Sequence, residues 1–238
     1  KQFEALLPKL APKGVGALFG GFVGQDDKNP DAYIFQIFQG GTGLPDRDMY
    51  LVDNPKFEEI RTAYKSYLAK MLTHAGEKNA EARANAIFET EKKIADVQWT
   101  REESSDATKV YNKLTLGEID ALAPQIGMSA MLKKISPKIG DVLVAQPSAV
   151  AATAKIFAET DIGVFKDQMM VGALANYSGA LPKAIDDTVF AFYGTTLGGT
   201  PPNRPSITAS MTPISSRSSL ARSGSETMAL RSTRASAA

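Results

Sequence analysis

The sequence predicts a mostly α fold, in which a multi-helix lobe carries a small β-hairpin near the amino terminus and a disordered carboxy-terminal tail. Through much of residues 54–193 apolar residues recur every three or four positions, the period of helices that pack on a core. Two short apolar runs flank a turn-forming segment between residues 17 and 38. After Pro205 the composition becomes rich in serine and arginine.

The hairpin is predicted from the apolar runs 17–23 and 33–38, which are separated by the turn-forming residues 25–30. Both faces of the second run are largely apolar, so we expect the hairpin to be covered on both sides. One face carries Tyr33, Phe35 and Ile37, and the other carries Ile34, Gln36 and Phe38. The pair Gly20 and Gly21 predicts a β-bulge.

The helices follow from periodicity and from signals at their ends. Asn54 and Pro55 supply an N-cap and a first-turn proline for a helix that ends near Gly76. A second helix over residues 79–99 should pack antiparallel to it, with most of its Glu and Lys side chains outward. Thr115 and Glu118 have capping-box spacing at the start of a helix over 116–122. Further helices are predicted at 128–135, 148–159, 165–177 and 181–193, and a short strand at 142–145.

Two segments are predicted: a lobe over residues 1–205 and a disordered Ser/Arg-rich tail over residues 206–238. The tail contains ten Ser, four Arg, one Glu and no aromatic residue. Such a segment buries too little apolar surface to offset the entropy lost on ordering.

Composition excludes several classes of function. The 27 basic and 26 acidic residues give a net charge of +1, so we expect no nucleic-acid partner. With no cysteine, disulfides, thiolate zinc sites and cysteine nucleophiles are excluded. No apolar run is long enough for a membrane-spanning helix, and the start at Lys1 shows no signal-peptide pattern. A start without Met suggests that an upstream segment is missing.

A zinc hydrolase needs about three protein ligands and an open position for water, but this chain contains a single histidine. His74 falls in the last turn of the first long helix, where a positive ring favours the helix dipole. We therefore interpret His74 as structural. Serine-nucleophile chemistry is also disfavoured, because that histidine lies far from the serine-rich tail.

Paired acids occur at several places, but none has the spacing of a calcium loop or of an acid–base pair. We expect Asp26 and Asp27 to shape the hairpin turn, and Asp46 and Asp48 to cap locally or to pair with Arg47. The remaining pairs are interpreted as solvated helix ends or faces: Glu102 and Glu103, and Asp186 and Asp187. The glycine run at residues 40–43 lacks a P-loop ending and is predicted to connect a strand to a helix. The sequon at Asn176 falls at a predicted helix end and is discounted.

Five stretches together resemble the amino-terminal region of neprilysin and the endothelin-converting enzymes, over about residues 15–205. They read Phe-Val-Gly-Gln-Asp-Asp-Lys-Asn at 22–29, Gly-Leu-Pro-Asp-Arg-Asp-Met-Tyr-Leu at 43–51, and Trp-Thr-Arg-Glu-Glu at 99–103 followed by Tyr-Asn-Lys-Leu-Thr-Leu at 111–116. The last two are Val-Ala-Gln-Pro at 144–147 and Ala-Phe-Tyr-Gly-Thr-Thr-Leu at 191–197, which precedes Asn-Arg-Pro at 203–205.

The resemblance implies part of a helical lobe that, in complete family members, faces a zinc-bearing lobe across a chamber admitting peptides. In the family, the His-Glu-x-x-His helix and the third zinc ligand belong to a carboxy-terminal half that has no counterpart here. No catalytic, cofactor-binding or metal-binding residue is therefore carried over to this chain. The resemblance implies zinc, peptide substrates and the missing catalytic lobe only for the complete enzyme. It also implies an extracellular, periplasmic or membrane-associated location.

Two functional hypotheses follow. The first is an amino-terminal part of a neprilysin-like zinc metalloendopeptidase that is inactive alone. The second is a noncatalytic helical module that binds peptides or a partner. The composition break after Pro205 coincides with the end of the resemblance, which suggests a frameshift, a truncation or a gene-model error near codon 205. If the chain is half of a closed shell, we expect the apolar surface that meets the other lobe to be exposed.

Overall fold

The computed structural model describes residues 9–10, 13–16 and 18–201 of the 238-residue chain. Its elements are mostly helical, with one small sheet that begins near the amino terminus, so the predicted fold class is confirmed for this part of the chain. The predicted tail at 206–238 lies outside the described residues.

The hairpin consists of β1, Phe19–Asp26, and β2, Asn29–Gln39, and it forms half of a four-stranded sheet. Two short strands complete that sheet, β3, Lys113–Leu114, and β4, Val142–Val144, in the order β1-β2-β4-β3. Strand β4 runs parallel to β2 and antiparallel to β3. All three residues of β4 are buried, as expected for a central strand.

The predicted bulge at Gly20 and Gly21 is wrong, because both residues pair in regular register with β2. The glycines instead make room for aromatic rings. A Cβ on Gly20 would lie 1.9 Å from the ring of Phe38, and one on Gly21 would lie 2.9 Å from the ring of Phe35. The register shift falls at the hairpin end, between Gln25 and Asp26.

The expectation that the hairpin is covered on both sides is also wrong. Tyr33 is 79% exposed, Val23 62% and Phe22 50%, although Ile34 and Ile37 are buried. The hairpin is therefore only partly covered, and each face of it carries both buried and exposed residues.

The helices account for most of the remaining described residues. They are α1, Asp48–Leu51; α2, Pro55–His74; α3, Ala80–Val97; α4, Arg101–Ser105; α5, Leu116–Leu122; α6, Met128–Ile135; α7, Pro147–Glu159; α8, Ile162–Asn176; and α9, Lys183–Val189, which continues as a π-helix, Phe190–Leu197. The predicted helices at 116–122 and 128–135 have the predicted bounds, whereas α1, α4, β3 and the π-helix were not predicted.

Local signals set several helix ends as expected. The Asn54 side chain accepts a hydrogen bond from the Lys56 amide at 2.9 Å, which caps the start of α2. Gly76 follows α2 with a φ of +79°, a conformation that suits glycine. Thr115 and Glu118 form the predicted capping box at α5. A second capping box, Thr100 with Glu103, begins α4.

Two apolar cores share helices α3 and α8. One core lies around β2, β4 and α5–α7, and it includes Ile94 of α3 and Phe165 of α8. The other is built around α1, α2 and α9, and it includes Phe88 of α3 and Val171 of α8. The two shared helices therefore join the sheet half of the lobe to the helical half.

Candidate functional site

The loop between β2 and α1, residues 40–47, passes close to the second core. Gly41 has a φ of +81°, which favours glycine. At Gly43 a Cβ would lie 1.9 Å from the hydroxyl of Tyr64, so no larger residue fits unless the loop or the Tyr64 ring shifts. Leu44, next in the sequence, is buried. The loop thus follows a path that depends on glycine at two positions.

A buried carboxylate lies beside this loop. Glu91 of α3 is 1% exposed. Its Oε2 accepts hydrogen bonds from the hydroxyls of Tyr50 at 2.7 Å and Tyr64 at 2.9 Å, while its Oε1 accepts one from Nε2 of Gln168 at 2.8 Å. We call Gly43, Tyr50, Tyr64, Glu91 and Gln168 the Glu91 cluster. It joins the loop to α1, α2, α3 and α8.

The hydroxyl of Tyr50 connects the carboxylate to the loop backbone. It accepts hydrogen bonds from the amides of Gly43 at 3.1 Å and Leu44 at 2.8 Å. Gln168 adds a bond from Nε2 to the carbonyl of Gly41 at 2.9 Å, and Tyr193 donates to the carbonyl of Gly43 at 3.2 Å. Backbone polar groups that are shielded from water must find partners within the protein, and here side chains from three helices supply them.

Burial governs the electrostatics of the Glu91 cluster. It raises the pKa of Glu91, an effect opposed by hydrogen bonds from Tyr50, Gln168 and Tyr64. Burial, followed by the nearby charge of Glu91, raises the pKa of Tyr50 and of Tyr64 well above the usual tyrosine value. Because these groups are closed off from solvent, their chemistry is that of an internal polar network that fixes the loop.

The acidic and basic residues of the loop are local anchors, as predicted. Asp46 Oδ1 accepts a hydrogen bond from the amide of Asp48 at 3.0 Å, and Arg47 pairs with Asp48 at 3.3 Å. Arg47 also donates through Nε to the carbonyl of Ala95 at 3.2 Å, a contact with α3 that local sequence does not reveal.

A second polar contact joins α3 to α8 next to the Glu91 cluster. Arg83 donates through Nε to Asp167 at 2.6 Å and also pairs with Glu77. Asp167 is buried and precedes Gln168 in the chain. Adjacent residues of α8 therefore bind two different groups on α3.

The acidic residues and the histidine that were singled out from the sequence lie apart from one another in the structure. His74 Nε2 lies 3.0 Å from the hydroxyl oxygen of Thr188. Asp26 accepts hydrogen bonds from the amide of Lys28 and the hydroxyl of Tyr111, which lower its pKa. Glu103 binds Thr100, Asp186 accepts from Ser178, and Asp187 pairs with Lys183, all within the same segment of the chain. Asn176 donates to the carbonyl of Lys13, which is distant in the sequence.

The donor set does not fit zinc. No group of three or more His, Asp or Glu side chains within the described ranges is arranged to hold a metal ion, and His74 is the single histidine of the sequence. Zinc in proteins takes nitrogen, sulfur and carboxylate ligands in a near-tetrahedral arrangement. No mechanistic step through a metal follows from these residues.

Sequence reasoning missed Glu91, because it expected most acidic side chains of α3 to face outward. The signal was present in the helical spacing. Glu91 follows Ile87 by four positions and precedes Ala95 by four, so it lies on the inward stripe of the helix.

An apolar cavity of about 100 Å³ lies between the hairpin and α6, and Gly20, Phe35, Ile126, Met131 and Ile135 are among its lining residues. This cavity is separate from the Glu91 cluster. In the part of the chain that the structure covers, no helix combines the length and apolar character needed to cross a bilayer.

Comparison with known proteins gives a consistent result. The model of peptidase family M13, for its amino-terminal region, matches residues 1–213. Endothelin-converting enzyme-like 1 of Rattus norvegicus is 31% identical over 121 residues, 50% of this chain and 16% of the relative. Endothelin-converting enzyme 1 of Bos taurus is 32% identical over 120 residues, 49% of this chain and 16% of the relative.

Solved structures show the same fold. The zinc metalloprotease Zmp1 of Mycobacterium tuberculosis, in its open state, superposes with a TM-score of 0.77 at 25% identity, covering 86% of this chain and 32% of that one. PepO of Lactobacillus rhamnosis superposes with a TM-score of 0.70 at 18% identity, covering 87% of this chain and 33% of that one. The chain thus spans about a third of these structures and about a sixth of the curated relatives.

Proposed function

The chain belongs to peptidase family M13 and corresponds to its amino-terminal part, and from this membership we propose that it is the substrate-enclosing portion of a neprilysin-like zinc metalloendopeptidase. The observation that carries the proposal is the family match over residues 1–213. The superposition with Zmp1, whose name describes a zinc metalloprotease, supports it independently of the family model.

We further propose that this chain alone does not hydrolyse peptides. Metal-assisted hydrolysis of an amide needs about three protein ligands and a metal-bound water. The sequence offers one histidine and no cysteine, and no three acidic or histidine side chains among the described residues are grouped so that they could hold a metal ion. The zinc and the groups that act on peptides would then belong to the rest of a complete enzyme.

A peptide-cleavage assay tests this proposal. The purified 238-residue chain is incubated with a quenched fluorogenic peptide, with and without added Zn²⁺ and with and without a chelator. We expect no cleavage that depends on zinc, because the chain lacks the coordination sphere. A His74→Ala variant is the matched control and should behave like the wild type.

Cleavage that a chelator abolishes, and that persists through repeated purification, would overturn the claim of inactivity. If the His74→Ala change also removed that cleavage, His74 would have to be reassigned as a metal ligand.

Within this proposal the partners are peptides and a catalytic lobe, and the location is extracellular, periplasmic or membrane-associated. We also retain the division into a lobe at 1–205 and a tail at 206–238. Translation of the other two reading frames downstream of codon 205 tests the frameshift hypothesis: a frame that encodes His-Glu-x-x-His would support it, and the absence of that motif would count against it.

A noncatalytic peptide-binding module is the second candidate, favoured by the apolar cavity beside the exposed hairpin. A cavity of about 100 Å³ could accept part of an apolar side chain. Calorimetric titration with a short phenylalanine-containing peptide should then give saturable binding that a Met131→Lys change at the cavity weakens. Equal heats for both proteins would exclude binding at this cavity.

A further inference from the structure

Glu91 is a buried acid without a cationic partner. Among the described residues no lysine, arginine or histidine is hydrogen-bonded to it or forms an ion pair with it. Burying an unpaired charge is costly, so a carboxyl group in such a place is driven toward its neutral form.

The groups that surround Glu91 come from α1, α2, α8, the π-helix and loop 40–47, where the amide of Gly43 faces the carboxyl group. Tyr50 is on α1, Tyr64 and Tyr67 are on α2, Gln168 is on α8, and Tyr193 is on the π-helix. The nearby cations are engaged elsewhere. Arg47 donates to the carbonyl of Ala95, Lys65 lies 4.4 Å from the centroid of the Phe88 ring, and Arg83 binds Asp167 and Glu77.

The directions of the hydrogen bonds are fixed at Tyr50 and Gln168, whereas the Tyr64 hydroxyl can act either as donor or as acceptor toward Glu91. Tyr50 accepts from two backbone amides, so its own proton must point to Glu91. Gln168 Nε2 is a donor in any state of the carboxyl group. The hydroxyl of Tyr64 has Glu91 as its partner among the described residues, so it can donate to an ionised carboxylate or accept from a protonated one.

We propose that the Glu91 cluster is a proton-operated latch on loop 40–47, which holds the loop firmly when Glu91 carries a proton and weakens when Glu91 is ionised, with the Tyr64 hydroxyl reversing between the two states. The proton is taken from solvent when the cluster opens locally, and it returns to solvent in the same way. This inference does not depend on the proposed peptidase function.

The direction of the pH effect follows from linkage. Burial raises the pKa of Glu91 above its ordinary value, so the closed cluster binds a proton more tightly than the opened one. The stabilisation by the latch is then complete below the ordinary glutamic acid value of about 4.3 and is lost as the pH rises through the raised pKa.

The loop backbone supplies a direct readout. The amide of Leu44 donates to Tyr50, which donates in turn to Glu91, so exchange of this amide with solvent requires the latch to open. At a pH above the ordinary pKa of glutamic acid, Glu91 loses its proton when the cluster opens, so each opening event releases one proton. The Leu44 protection factor should therefore fall by up to about tenfold per pH unit until the raised pKa is passed.

The test is amide hydrogen exchange by NMR on the 238-residue chain between pH 4.5 and 8, corrected for intrinsic exchange, together with a ¹³C titration of the Glu91 carboxyl group. We expect the carboxyl to titrate above the ordinary value and the Leu44 protection factor to fall over the same range. In a Glu91→Gln variant the fall should disappear. A Glu89→Gln variant, which changes an exposed acid of the same helix, should keep the wild-type profile.

A carboxyl titration at or below the ordinary value would overturn the latch, as would a Leu44 protection factor that stays constant with pH. The titration is made on the wild-type protein, so the proposal can still fail if Glu91→Gln does not fold.

Discussion

Gly43 and Tyr64 define how closely the loop approaches the helices. The glycine is required because the space for its Cβ is occupied by the Tyr64 hydroxyl oxygen, 1.9 Å away. The local roles of Asp46 and Arg47 could be predicted from sequence, because their partners are within a few residues. The role of Tyr50 could not, because its partner Glu91 lies 41 residues away.

Replacing Gly43 with alanine tests this close approach. Forcing a methyl group into filled space typically costs about 1–3 kcal/mol. We expect Gly43→Ala to lower the free energy of unfolding in urea by that amount. Gly172→Ala is the matched control, since a Cβ there meets nothing within 4 Å, and in mid-helix it should be neutral or stabilising by about 0.5–1 kcal/mol. Equal effects of the two changes would contradict the geometry.

Removing the Tyr50 hydroxyl tests the link between Glu91 and the loop. Tyr50→Phe removes a hydrogen-bond partner from two backbone amides and from a buried carboxyl oxygen. We expect it to lower the free energy of unfolding in urea by about 1–3 kcal/mol. Tyr33→Phe removes the same atom from a side chain that is 79% exposed and should change stability little. A Tyr50→Phe variant as stable as the wild type would show that the hydroxyl network contributes nothing net.

The elements divide into those set by local signals and those set by distant contacts. Helices α5 and α6 were predictable because a capping box and an apolar stripe within the segment define them. Strand β4 was predicted, but its parallel pairing with β2 was not, since about a hundred residues separate the partners. The sequence explains neither the switch from α9 to a π-helix nor its position.

The capping box at α5 gives a prediction at this scale. Thr115→Ala removes the side chain that accepts from the Glu118 amide, and loss of such a cap costs about 1 kcal/mol. The change should appear as a lower midpoint in urea unfolding. Thr62→Ala, on the exposed side of α2, removes no cap and should be neutral or slightly stabilising. A Thr115→Ala variant with an unchanged midpoint would exclude a stabilising cap.

At the scale of the molecule, the described part of the chain is one lobe with two cores that share α3 and α8. Periodicity predicted which faces of the helices are apolar. It could not predict that Phe22, Val23 and Tyr33 stay exposed. An apolar strand pattern shows that a strand can be buried but does not show which element buries it.

Shared helices predict cooperative unfolding. Trp99, the single tryptophan, donates to Ser148 at the start of α7 and so reports on the sheet half, whereas far-ultraviolet circular dichroism reports on all helices. We expect both probes to give the same urea midpoint. Two separated transitions would show that the halves unfold independently.

We propose that this member of family M13 supplies an amino-terminal lobe without a zinc site. The decisive experiment is to measure zinc stoichiometry by elemental analysis of the purified chain, after equilibration with Zn²⁺ and dialysis against buffer. We expect far less than one zinc ion per chain, with no difference between the wild type and His74→Ala. One firmly retained zinc ion per chain, lost in the His74→Ala variant, would contradict it.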